Sequence, residues 1–143
     1  MNDTKKITVR VSHAYTASPE RVFDAWLDPK RAAKFLFATE TGNVVRCEID
    51  ARVGGTFNIV DRRDGKDVLH TGKYVEIDRP RRLVFDFAVP EYSEEWTRVS
   101  IDITPRGSGC ELTLTHDGVF EDYTQRTEHG WTTILAALEK TLT

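Results

Sequence analysis

Residues 120–142 read FEDYTQRTEHGWTTILAALEKTL. Within them Phe120, Tyr123, Thr127, Trp131, Ile134, Leu135, Leu138 and Leu142 recur at steps of three and four. That spacing is one apolar stripe along a helical cylinder, with Glu121, Asp122, Gln125, Arg126, Glu128, Glu139 and Lys140 mostly elsewhere around it. The spacing predicts a helix from about Phe120 to Leu142, roughly 35 Å long and therefore about as wide as a small domain. Most of the chain between Thr39 and His116 reads as short strands instead. An amphipathic helix must bury its stripe, and the only surface on offer is that of a sheet. The expected architecture is α+β: one long C-terminal helix gripped by one curved antiparallel sheet.

Working back from the helix, Ile7 to Tyr15 alternates apolar and polar residues as a half-buried first strand does. Ser18-Pro19 then starts a short helix, because Ser can cap it and Pro suits a first turn whose N–H would be unpaired anyway. Val22, Phe23, Trp26 and Leu27 form its apolar face, and Asp28-Pro29 ends it and opens a second helix through about Phe35. Val45, Cys47 and Ile49 are expected to share the inner face of the next strand. Gly54-Gly55 marks a bend, and Asp64-Gly65 is a two-residue hairpin signal that demands positive φ at both positions. That turn fixes a register: Phe57 faces Gly72, Ile59 faces His70, and Val60 faces Leu69 on the other side. It also turns Tyr74 inward, in conflict with the apparently buried pair Val75 and Ile77 unless a bulge lies between. Leu83, Phe85 and Phe87, then Val99, Ile101 and Ile103, then Leu112, Leu114 and His116 continue the inner face, with Val89 to Glu95 a loop. No repeat, low-complexity tract or linker interrupts residues 1–143, so a single domain is expected.

Several motifs in this order resemble one family. Ser18-Pro19-Glu20, Val22-Phe23 and Ala25-Trp26 come first, followed by Arg52-Val53-Gly54-Gly55 and Phe57. Gly72, Tyr74, Glu76-Ile77, Pro80 and Leu83-Val84-Phe85 come next, and Leu112 to His116 and Gly130-Trp131 with Leu135 and Leu138 complete the series. The chain resembles the activator-of-Hsp90-ATPase homologue 1-like family of the START-like (SRPBCC) helix-grip superfamily, over nearly its whole length. The resemblance implies about seven antiparallel strands wrapped round the C-terminal helix, two short helices after strand 1, and a hydrophobic pocket between helix and sheet. It implies no shared reaction, since related proteins bind lipids, hormones or polyketides and some catalyse. Hsp90 contact is not carried over, because the chaperone-linked members use extra regions that this chain has nothing left to supply.

The chain has 143 residues, 30% of them charged, and a net charge of −3, which gives no basic field for nucleic acid or anionic lipid. Met1 to Lys6 is polar and no run is long enough to span a membrane, so a cytoplasmic protein without stable membrane insertion is expected. Cys47 and Cys110 read as reduced thiols rather than a disulfide. No histidine pair at i, i+4 and no CxxC occurs, so neither a metal nor another cofactor is expected. His13 and His129 read as surface or edge residues, and Asp86 with Arg98 as a cross-strand ion pair on the outer face. Arg62, Arg63, Arg79, Arg81 and Arg82, diluted by Asp61, Asp64, Asp67 and Asp78, read as solvated turns.

The expected ligand site is aromatic and apolar: Phe35, Phe37, Phe57, Ile59, Tyr74, Phe85, Phe87, Leu114, Trp131 and Leu135, with His70 and His116 as its polar members. Gly54, Gly55, Gly72 and Gly130 either permit close packing or leave a hollow. The leading reading is a protein, monomer or homodimer, that binds a small hydrophobic or amphipathic ligand such as a lipid or polyketide. One alternative is a cyclase- or hydratase-type enzyme using His70 or Tyr74 as acid–base group. The other is a chaperone-accessory or stress-response interaction protein, which would need an exposed apolar patch.

Overall fold

The computed structural model describes residues 5–37, 43–91 and 94–142. The elements run β1 (Lys6–Tyr15), α1 (Pro19–Leu27), α2 (Pro29–Phe35), β2 (Asn43–Ile49), β3 (Thr56–Arg63), β4 (Lys66–Asp78), β5 (Arg82–Ala88), β6 (Thr97–Arg106) and β7 (Gly109–Phe120). A 3₁₀ turn (Glu121–Tyr123) then leads into α3 (Thr124–Thr141). The expected onset of strands at Thr39, residues 1–4 of the polar N-terminal stretch and residues 92–93 of the Val89–Glu95 loop lie outside the described residues.

The seven strands form one antiparallel sheet in the order β1-β7-β6-β5-β4-β3-β2. The chain therefore begins beside its own last strand, and the two short helices carry it across to the opposite edge. Ser18 caps α1 by accepting from Arg21 N, and Asp28 caps α2 by accepting from Lys30 N, each with Pro in the first turn. The core fills the space between the inner sheet face and the helices: Phe23, Trp26, Phe35, Phe57, Phe85, Leu112, Leu114, Leu135 and Leu138 are at most 1% exposed. The outer face carries polar cross-strand pairs instead, among them Arg98 Nε to Asp86 Oδ1 at 2.8 Å and Thr8 Oγ1 to Asp117 Oδ1 at 2.6 Å.

The Asp64-Gly65 turn has φ of +50° and +79°, the pair of positive values a type I′ hairpin needs. The register is the one that turn dictates, with Phe57 opposite Gly72 and Ile59 opposite His70. At Gly72 a side chain has no room, because a Cβ there would fall inside the Phe57 ring. Three local expectations need correction. The final helix starts at Thr124 rather than Phe120, because the β1–β7 ladder persists to Lys6–Phe120 and Glu121 N then donates to Lys5 O at 2.9 Å. Val45 is exposed, since a bulge between Val44 and Arg46 gives the inner positions to Val44, Cys47 and Ile49. The bulge that reconciles an inward Tyr74 with an inward Ile77 is present between Tyr74 and Glu76, but Val75 is its extra, exposed residue rather than a buried one.

Candidate ligand-binding cleft

The two halves of α3 differ. From Thr124 to Gly130 no residue is buried, whereas Trp131, Ile134, Leu135 and Leu138 are. The sequence accounts for this: TQRTEHG offers no apolar side chain to press against the sheet, and the stripe begins only at Trp131. The later half is fastened from outside the helix as well. The Tyr15 hydroxyl donates to Leu135 O at 2.8 Å, and Arg21 Nη2 donates to Leu142 O at 2.6 Å. Under the earlier half the helix stands off the sheet and leaves a hollow of about 540 Å³. Phe37, Arg63, His70, Phe87, Val89, His116, Arg126, Thr127, His129, Gly130, Trp131, Thr133 and Ile134 line it. A second hollow of about 790 Å³ shares Arg63, Phe87, Val89, His116, Arg126 and Thr127 with the first. The two make one groove that runs out past Thr97, Phe120 and Tyr123.

Aromatic rings form the floor. The Phe37 ring lies 4.3 Å from His70 at an interplanar angle of 11°, 5.4 Å from Phe87 and 5.8 Å from Trp131. Phe37 takes φ +60°, a left-handed conformation that costs a bulky residue about 1 kcal/mol or more. That backbone places its ring at the meeting point of α2, sheet and α3.

His116 is tied on both sides. Trp131 Nε1, which can only donate, lies 3.0 Å from His116 Nδ1, so Nδ1 accepts and the imidazole is neutral. The proton then sits on Nε2, which faces Thr97 Oγ1 at 2.8 Å. The Thr97 hydroxyl in turn donates to Phe87 O at 3.4 Å. Burial keeps the imidazole neutral by pushing its pKa down to about 4. This histidine links helix to sheet as a satisfied core residue.

His70 is held differently. Arg63 Nη2 approaches its Nε2 at 3.5 Å, while Nδ1 is buried. Burial first, and the Arg63 charge second, lower its pKa to about 4. Arg63 itself is anchored by Asp61, whose side chain is completely buried: Nε lies 2.5 Å from Oδ2. The expectation of a solvated turn therefore fails for this pair. Odd-numbered residues of β3 point inward, so Asp61 and Arg63 continue the face of Phe57 and Ile59 into the groove.

Of the residues expected to line a ligand site, Phe37, His70, Phe87, His116 and Trp131 meet at the hollow. Phe35, Phe57, Ile59, Tyr74, Phe85, Leu114 and Leu135 lie in the closed core, none more than 3% exposed. Phe57 is sealed there by Tyr74 at 5.6 Å and Phe85 at 5.3 Å. Sequence reasoning missed Arg63, Val89, Arg126, Thr127, His129, Thr133 and Ile134 as lining residues. Strand parity would have found Arg63, and the turn-by-turn neighbours of Gly130 on α3 would have found most of the others. The glycines also divide: Gly72 makes room for Phe57, whereas Gly130 lines the hollow and a Cβ on it meets nothing within 4 Å.

Cys47 and Cys110 are free thiols. Burial, helped by the Asp28 charge, pushes the Cys47 thiol up to about 11. Among the described residues no group of three or more His, Cys, Asp or Glu side chains is placed to hold a metal ion. No helix there is long and apolar enough to cross a membrane.

A curved antiparallel sheet closed on a C-terminal helix, with a hollow between them, is the helix-grip class of fold. The chain belongs to the Activator of Hsp90 ATPase homolog 1-like protein family, which matches residues 16–143. It is similar to a protein from Chromobacterium violaceum at 25% identity, with TM-score 0.87 and coverage of 94% of this chain and 96% of that one. A protein from Rhizobium loti is 26% identical, with TM-score 0.77 and coverage of 96% and 97%. An AHSA1-like protein from Aeromonas hydrophila shares the fold at 20% identity, with TM-score 0.83 and coverage of 95% and 92%. No curated protein matches the chain.

Proposed function

We propose that the protein binds a small hydrophobic or amphipathic molecule in the cleft beneath the first two turns of α3. The observation that carries this reading is the hollow of about 540 Å³ floored by Phe37, Phe87 and Trp131. Its size lies within the usual range of small-molecule sites, and its lining has their usual character, apolar rings with a few polar groups. It stays open because Gly130 projects no side chain into it and residues 124–130 offer none that would fill it. The acid–base alternative finds less support. His70 is a weak base near neutrality with Arg63 against its Nε2, and Tyr74 is walled off behind Phe57 and Phe85.

Native mass spectrometry against a panel of lipids and polyketides, with 1-aminoanthracene as a neutral fluorescent reporter, tests the proposal. One-to-one binding that weakens in Trp131→Ala is the expected result. No bound species from the panel and no binding of the reporter would overturn it.

A further inference from the structure

We infer that the ligand is an organic acid with a flat apolar body, and that Arg63 receives its carboxylate; this rests on the ligand-binding reading and narrows it. The inner hollow is chemically one-sided. Among its described lining residues are two arginines, Arg63 and Arg126, and no Asp or Glu, although the chain as a whole carries a net charge of −3. The acidic residues of the groove, Glu95 and Asp122, lie at its outer end beside Phe120 and Tyr123, where Lys6 Nζ already binds Glu95 at 2.8 Å.

Arg63 is built as a receptor rather than as a solvated charge. Its side chain is 27% exposed and its Nε is fixed by the fully buried Asp61. One terminal nitrogen faces His70 at 3.5 Å. A guanidinium has five N–H donors in a rigid fork. Those two contacts engage two of them and orient the plane, leaving the others on a group that lines both hollows. Such a fork matches a carboxylate in two parallel hydrogen bonds, and its fixed orientation removes most of the ordering cost of binding. Arg126 faces it from α3. This residue is exposed and makes no ion pair among the described residues, its guanidinium lying 5.8 Å from the Tyr123 ring. An acid held between these two arginines would lay its apolar body over Phe37, Phe87 and Trp131.

The test is displacement of 1-aminoanthracene by 2-naphthoate and by its neutral isostere 2-naphthamide. Wild-type protein is expected to prefer the acid by about tenfold or more, as charge-assisted hydrogen bonds imply. Removing Arg63 alone would take its ion-pair partner from the buried Asp61 carboxylate, so the pair is neutralised together in Asp61→Asn/Arg63→Gln. That variant should lose the preference while keeping the amide's affinity. Arg126→Gln, an exposed substitution, should weaken the acid severalfold and leave the melting temperature unchanged. If the double variant does not fold, Arg63→Lys decides, since it keeps a charge beside Asp61 but loses the fork and should weaken the acid specifically. Equal affinity of acid and amide in the wild type, or an undiminished preference in the folded variants, overturns the inference while the cleft still binds 1-aminoanthracene. Failure of both the reporter and every panel compound to bind removes the ligand-binding reading and this inference with it.

Discussion

Trp131 Nε1 donates to His116 Nδ1 across 3.0 Å, from the first buried turn of α3 to the seventh strand. The contact requires an unprotonated Nδ1, so the bond that seats the helix also fixes the charge of the histidine beneath it. Stability should therefore fall on mild acidification. A histidine whose folded pKa is depressed, here to about 4 for both His116 and His70, takes up its proton in the unfolded chain first. Stability is then fully present above about pH 6.5 and is lost as pH falls from there to about 4. Between pH 7 and pH 5 each histidine should contribute a loss of about 2 kcal/mol. Urea denaturation at the two pH values checks this, and equal stability at both would refute it.

Trp131→Phe keeps a ring in place but leaves His116 Nδ1 buried without its donor. The expected destabilisation at pH 7 is about 2 kcal/mol. The pH dependence should shrink as well, because the vacated Nδ1 can accept a proton at less cost. Denaturation of the variant at pH 7 and pH 5 measures both effects, and a variant as acid-sensitive as the wild type would show that the indole does not hold the imidazole neutral.

Gly130 and Gly72 should respond to a methyl group in opposite directions. Gly130→Ala removes a mid-helix glycine and meets no atom within 4 Å, so stability should rise by about 0.5–1 kcal/mol. Gly130→Leu should occupy the hollow and weaken 1-aminoanthracene about tenfold or more, the effect of roughly 1.4 kcal/mol of displaced contact. A stable Gly130→Leu protein with unchanged affinity would place the binding site elsewhere.

At Gly72 the same methyl enters the Phe57 ring and comes 2.9 Å from Asp86 O. Gly72→Ala should cost at least about 2 kcal/mol, because the clash on the backbone side cannot relax by a rotamer change. A melting temperature equal to wild type would mean that the Phe57 ring is not held over β4.

The fold was legible wherever a local chemical rule met a periodicity. Asp64-Gly65 set the β3–β4 register, Ser18-Pro19 and Asp28-Pro29 set the two short helices, and Trp131 to Leu142 set the buried stripe. The errors came where one residue interrupts a period. Val45 and Val75 are bulge residues, and nothing in an alternating pattern marks the position at which the ladder skips. Phe120 fits the helical period of the residues after it, but backbone pairing with Lys6 holds it in the strand. The site was less legible than the fold. Phe37, His70, Phe87, His116 and Trp131 were readable as inward-facing. Which inward rings seal the core and which border a void depends on how far α3 stands from the sheet, and that distance is set by side chains 124–130 fail to supply. Asp61 and Arg63 were hidden by composition: among so many turn charges, their inward parity was the only sign that they differ.

The unequal fastening of α3 has an evolutionary consequence. Leu135, Leu138, Tyr15 and Arg21 hold the helix by its far end, so residues 124–130 can be rewritten without loosening the core. Residues on that span can change under little constraint from folding. Chains of this shape can keep the scaffold at about one identical residue in five, as the Aeromonas hydrophila protein does.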